Sequence, residues 1–100
     1  MRKISYDACA AFVNRRKFKR GNTEVKVFAN SVELLLHGNI IAEIVNDGNL
    51  WITSAGWKSN TTKERLNSLP HVYIKQKDFQ WYLNGDAWSG DWTLVCKILI

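Results

Sequence analysis

Thr53-Ser-Ala-Gly-Trp-Lys-Ser-Asn-Thr-Thr-Lys-Glu-Arg-Leu-Asn-Ser-Leu-Pro70 interrupts a chain that otherwise alternates like β-strands. Within it, Thr61-x-x-Glu64 has the form of a capping box, a threonine and a glutamate that satisfy the first free amides of a helix. Leu66 and Leu69 would then face inward, Lys63, Arg65 and Asn67 outward, and Pro70 would end the helix. So short a helix needs packing to persist, and Trp57 is the large side chain available to anchor it. The same Thr-Thr-Lys segment also has the composition of a phosphate seat at a helix N-terminus. A capping carboxylate would compete for those amides, so both uses stay open.

Upstream, the period is two. Val25 and Val27 alternate with Glu24 and Lys26; Val32, Leu34 and Leu36 follow; Ile40, Ala42 and Ile44 form a third run, and Leu50 to Thr53 a fourth. His37-Gly-Asn39 and Asn46-Asp-Gly-Asn49 are turn sequences, and such short connections predict an antiparallel meander. Downstream, Val72–Gln76 and Phe79–Leu83 predict a hairpin around Lys77-Asp78, Asn84-Gly85 a further turn, and Thr93–Ile100 a last strand. That last run is apolar on both faces, which suits an interior strand or an edge covered by another subunit. Trp51, Tyr73 and Tyr82 fall on the phase opposite the apolar residues, either as an exposed aromatic row or as packing within a curled sheet.

Before the meander, Ile4, Ala8, Ala11 and Phe12 share one helical stripe, predicting a helix from about residue 5 to 17 with Ser5 as N-cap and Asp7 in its first turn. Gly21-Asn22 would stop it. Residues 1–26 hold eight Lys and Arg against two acids, whereas the remainder is close to balanced. Arg15, Arg16, Lys17, Lys19 and Arg20 are five cations in six residues around Phe18. One or two would complement a helix C-terminus; five suit a polyanion, because phosphate contacts release counterions and an interleaved aromatic can stack on a base.

Catalytic and metal chemistry find little support. His37 and His71 lack metal-ligand spacing, no CxxC or Gly-rich phosphate loop is present, and Asp86 and Asp91 are acids of Gly-containing turns. No catalytic residue, metal site or cofactor is assigned. Cys9 and Cys96 read as small core hydrophobes, and no apolar run approaches the roughly 18 residues that span a bilayer. The amino terminus lacks a secretory apolar region, predicting a cytosolic protein without membrane association.

Ser54-Ala-Gly-Trp-Lys-Ser-Asn-Thr-Thr-Lys-Glu-Arg-Leu-Asn67 resembles a block, [S/C]-x-G-W-x-[S/T]-x-T-T-[K/R]-x-R-[L/I]-N, shared by a group of small proteins of tailed bacteriophages. The likeness extends to Phe18–Val25, Leu36–Ala42, and Trp81–Gly85 with the following Trp-x-Gly-x-Trp loop. It implies a phage gene product acting in the cytoplasm of a bacterial host. At Cys96-Lys-Ile-Leu-Ile100 this chain carries a longer apolar tail than the resemblance suggests.

The expectation is a single α+β domain over residues 1–100: an N-terminal helix, an antiparallel meander, a short central helix, a C-terminal hairpin and a strand. The expected function is a non-enzymatic phage accessory protein that binds nucleic acid through Arg15, Arg16, Lys17, Lys19 and Arg20, with Lys58, Lys63 and Arg65 adding to the surface. Trp57, Asn60 and Thr62 are the expected further partner contacts. The alternative is an inhibitor or modulator of a host enzyme, binding an acidic host protein. Self-association through the C-terminal strand is a further expectation.

Overall fold

The structure is a computed structural model describing residues 2–45 and 47–98, and it opens with helix α1 at Lys3–Val13. Its buried stripe is Ser5, Ala8, Ala11 and Phe12. The helix starts and stops earlier than its sequence suggests. Ser5 is inside it, and Arg2 holds the N-cap position without a side-chain bond. At the other end the Asn14 Nδ2 donates to the Ala10 carbonyl at 2.8 Å, and Arg15 steps into the left-handed region at φ 55°, a common way to close a helix.

The chain then enters a strand that sequence reading assigned to the helix end. Strand β1 at Phe18–Arg20 turns through Gly21-Asn22 into β2 at Thr23–Val27, with Phe18 opposite Val25 and Arg20 opposite Thr23. Gly21, at φ 56°, makes this hairpin turn instead of stopping a helix. Strands β3 (Ser31–Leu36), β4 (Asn39–Val45) and β5 (Asn49–Ile52) continue the antiparallel meander. His37 and Gly38 both take positive φ, the pattern of a two-residue hairpin. Leu34, Leu35 and Leu36 are all buried, and the alternation breaks at a register shift between Leu34 and Leu35. The meander therefore has five strands instead of four. The expected turn at 46–49 begins at Asn46, outside the described residues.

Helix α2 spans Asn60–Asn67, two residues earlier than the capping-box reading allows. Ser59 is its N-cap: its Oγ accepts the Thr62 amide at 3.1 Å and lies 3.0 Å from the Thr62 hydroxyl. Thr62 therefore holds the third helical position, and Glu64, two residues further on, closes no box on Thr61. Leu66 and Leu69 are buried as expected, whereas Asn67 is turned inward and both donates to and accepts from the backbone of Ile74. A second sheet follows: β6 (Ile74–Lys77), β7 (Gln80–Leu83) and the two-residue β8 (Asp86–Ala87). Its first turn is Asp78-Phe79, not Lys77-Asp78, since Lys77 pairs with Gln80. Both turn residues have positive φ, at 52° and 67°. For an L-residue other than glycine that conformation costs about 1–2 kcal/mol.

β9 (Thr93–Lys97) returns to the first sheet and pairs with β5, giving the order β1-β2-β3-β4-β5-β9. It is an edge strand; the expected extension to Leu99 and Ile100 lies outside the described residues. Trp51 belongs to this sheet, whereas Tyr82 is in β7 and Tyr73 immediately precedes β6, so the three do not form one aromatic row.

One hydrophobic cluster joins Ala8, Ala11 and Phe12 of α1, the inner residues of the first sheet, Leu66 and Leu69 from α2 and its exit, and Ile74, Trp81, Leu83 and Trp88. Cys9 and Cys96 are free thiols packed against it, as their small apolar character suggests. Trp57 is not part of the cluster. It is 65% exposed, and the anchoring role falls to Trp81 and Trp88, whose ring centroids are 6.3 Å apart. Two ties close the joint between the sheets: the Gly90 carbonyl accepts from the Ser54 amide at 2.8 Å and from the Thr53 hydroxyl at 2.9 Å.

Candidate functional site

The five cations between Arg15 and Arg20 have different fates. Arg20 pairs with Asp7 at 2.7 Å and lies 5.0 Å from the centre of the Phe18 ring. Asp7 also takes Lys3 at 2.8 Å. Arg15 reaches across to donate to the Phe28 carbonyl at 2.6 Å and takes part in none of the ion pairs among the described residues. Arg16, Lys17 and Lys19 are exposed and take part in none of the ion pairs among the described residues.

Because the segment is a strand, its side chains are sorted by the pleat. Phe18 lies on the side of the buried Val25, and Lys19 on the side of Glu24. Lys26 shares that outer face. A groove of about 500 Å³ runs between Lys17, Phe18 and Lys19 on one side and Glu24, Lys26 and Phe28 on the other. Lys26 and Phe28 were missed as surface candidates, although the alternation of Lys26 with Val25 and Val27 already turned it outward. Phe28, 48% exposed, follows β2 and has no comparable signal.

The other predicted surface is partly consumed by the fold. Lys58, Asn60 and Trp57 are exposed. Thr62 is buried, with its hydroxyl at the Ser59 cap. The Lys63 ammonium donates to Gln76 at 3.3 Å and lies 6.0 Å from the Trp81 ring, linking α2 to the second sheet. Arg65, expected to face outward, is only 2% exposed. Its guanidinium donates to Thr23 at 3.0 Å, to Ser5 at 2.9 Å and to Glu64 at 2.7 Å, so it ties α2 to β2 and α1. Trp57 instead borders a cleft of about 500 Å³ with His37, Asn39, Ile41, Ser59 and Thr61. This cleft and the cationic groove share no lining residue.

Hydrogen bonds from Lys3 and Arg20 hold the Asp7 carboxyl below its ordinary 3.8. Burial raises Glu64, but the Arg2 backbone amide and guanidinium outweigh it and hold Glu64 below 4.5. A carboxyl with a lowered folded pKa adds stability above its ordinary pKa and loses it as pH falls through the lowered value. The thermal midpoint is therefore expected to drop below about pH 4, less steeply in an Asp7→Asn, Glu64→Gln double variant. Superimposable acid profiles for the two proteins would refute this assignment.

Among the described residues no three of His, Cys, Asp and Glu converge as metal ligands, and no helix is long and apolar enough to cross a membrane. Fold and surface thus define a small two-sheet α+β protein whose free cations border an open groove. The chain belongs to the Kyanoviridae Gp96 protein family, whose family model matches residues 1–95, and it is a bacteriophage protein. The match includes α1 and the cationic segment upstream of Phe18, where the resemblance drawn from the sequence began. No curated protein and no solved structure matches the chain.

Proposed function

We propose that this phage protein is a non-enzymatic accessory factor that binds nucleic acid along the β1–β2 edge in the cytoplasm of an infected bacterium. The observation that supports it is the set Arg16, Lys17 and Lys19, exposed and outside the ion pairs among the described residues, with Lys17 and Lys19 sharing one groove with Lys26. Arg15 adds a further charge outside the ion pairs among the described residues, while Arg20 serves mainly to hold α1 against β1. Phosphate binding at such a surface displaces counterions and makes affinity fall steeply with salt.

Substituting Gln at Arg16, Lys17 and Lys19 together is expected to weaken DNA or RNA binding at every sequence and to lower the salt slope by roughly 2–3. Absence of binding to either nucleic acid at low salt would overturn the proposal.

A protein partner is the second reading, supported by Trp57 standing exposed beside the other cleft, with Lys58 and Asn60 nearby in the chain. A host enzyme modulated through this surface would be retained from lysate after nuclease treatment and released by Trp57→Ala. Self-association would use the open edge of β9, where Leu94 is 46% exposed.

A further inference from the structure

The outer face of the second sheet carries a different chemistry from the β1–β2 edge. Ile74, Trp81 and Leu83 point into the core, so the cross-strand row Lys75–Tyr82–Ala87 and the pair Lys77–Gln80 lie on the opposite face. Tyr73 extends that face by one step, because its amide donates to the Asn84 side chain at 2.9 Å and its carbonyl accepts the Asn84 amide at 2.8 Å. A shallow cleft of about 670 Å³ runs over Tyr73, Lys75, Gln76, Lys77, Tyr82 and Gly85, and none of these is acidic. The acids nearest in the sheet are Asp78, in the turn, and Asp86, which has the phase of Leu83.

Phe79 stands at the tip of this hairpin. It is 96% exposed and takes φ 67°, a conformation that a bulky side chain adopts at a cost to the fold. The neighbouring two-residue turns place glycine at the same position, Gly38 after His37 and Gly85 after Asn84. An aromatic ring that neither packs nor eases its turn gains from contact with something outside the chain.

We infer that this face, Tyr73, Tyr82 and Phe79 with Lys75 and Lys77, is a stacking platform for single-stranded nucleic acid. Tyrosines on an open sheet offer flat rings to unpaired bases, and lysines between them meet the phosphates. A duplex keeps its base faces stacked on one another and so cannot use the rings. Ala87, the small residue beside Tyr82 on β8, leaves that flank of the ring low. The inference rests on the reading of the chain as a nucleic-acid binder, but it assigns a separate surface and a strand preference.

The test uses the full chain and fluorescence anisotropy of labelled oligothymidylate and oligouridylate of about a dozen nucleotides, with a duplex of the same length for comparison. Single strands are expected to bind more tightly than the duplex. Tyr82→Ala and Tyr73→Ala should each weaken single-strand binding roughly tenfold and leave duplex binding unchanged, whereas Tyr82→Phe should retain it. Phe79→Gly should weaken single-strand binding while raising the thermal midpoint, so a loss there cannot be put down to misfolding.

Equal affinity for single strands and duplex, with the aromatic variants silent and the Arg16, Lys17 and Lys19 variant weakened, would overturn the platform and leave the cationic edge standing. No binding to any of the probes would overturn both. Unaltered single-strand binding in Phe79→Gly together with lost retention of a host protein would assign the tip to a protein contact and overturn the platform.

Discussion

Arg65→Ala is expected to destabilise the protein by about 3–5 kcal/mol, the usual consequence of removing one partner from a buried charged network. The guanidinium is 2% exposed and donates to Thr23, Ser5 and Glu64, which belong to β2, α1 and its own helix. Its loss takes a donor from the buried Ser5 and Thr23, of which Thr23 keeps its bond to Asn22 at 2.8 Å, and opens a void between two helices and a sheet. Glu64 keeps its contacts to Arg2 and is 23% exposed, so it is the least affected neighbour. Urea unfolding followed by tryptophan fluorescence reads the effect. Arg65→Met, which restores much of the volume, should lose less than the alanine variant. A shift below about 1 kcal/mol for Arg65→Ala would place the guanidinium at the surface and discredit the network.

Gly90→Ala is expected to follow, at about 2–4 kcal/mol, because two penalties act together. Gly90 has φ 93°, outside the range in which an L-residue rests, and an added Cβ would meet the Ser54 Oγ at 2.4 Å and the Lys58 Cε at 3.1 Å. Lys58 can swing away; Ser54 is buried and cannot. The backbone ties to Thr53 and Ser54 would be strained as well. Gly21→Ala is the control, since at φ 56° it meets no atom within 4 Å and should lose only the conformational part, about 1–2 kcal/mol. Equal midpoints for the two variants would show that the joint yields freely to the extra methyl.

Much of the architecture was legible because it is written in neighbours. The alternation of Val25 with Val27, the turns at His37-Gly38 and Asn84-Gly85, and the stop at Pro70 are local signals. What failed was set by distant or competing groups. Arg65 looks like a solvated helix residue, and its burial depends on Ser5 and Thr23, 60 and 42 positions away. Ser59 and Thr61 are both good N-caps, and only packing chooses between them. Five cations after a helical stripe suggest a helix end, yet the pairing of Phe18 with Val25 draws the segment into the sheet. Phe79 shares the phase of Trp81 and Leu83, yet it is exposed, because the turn falls one position later than the hairpin predicted around Lys77-Asp78 and takes Phe79 out of the strand. For the surface, the excess of cations was visible in composition. Which of them lack a partner was not, because Asp7 had first to be brought to Arg20.

The return of β9 beside β5 orders the assembly of the molecule in time. Each earlier pairing of the first sheet closes a turn of a few residues, whereas this one must gather the whole of residues 53–92, and closing so long a loop carries a larger entropic barrier. The edge formed by β9 is therefore the last to zip, after α2 and the second sheet have drawn the chain back on itself. Until then Leu50, Trp51 and Ile52 present an unpaired apolar rim, and for that interval a nascent chain must be kept from its neighbours.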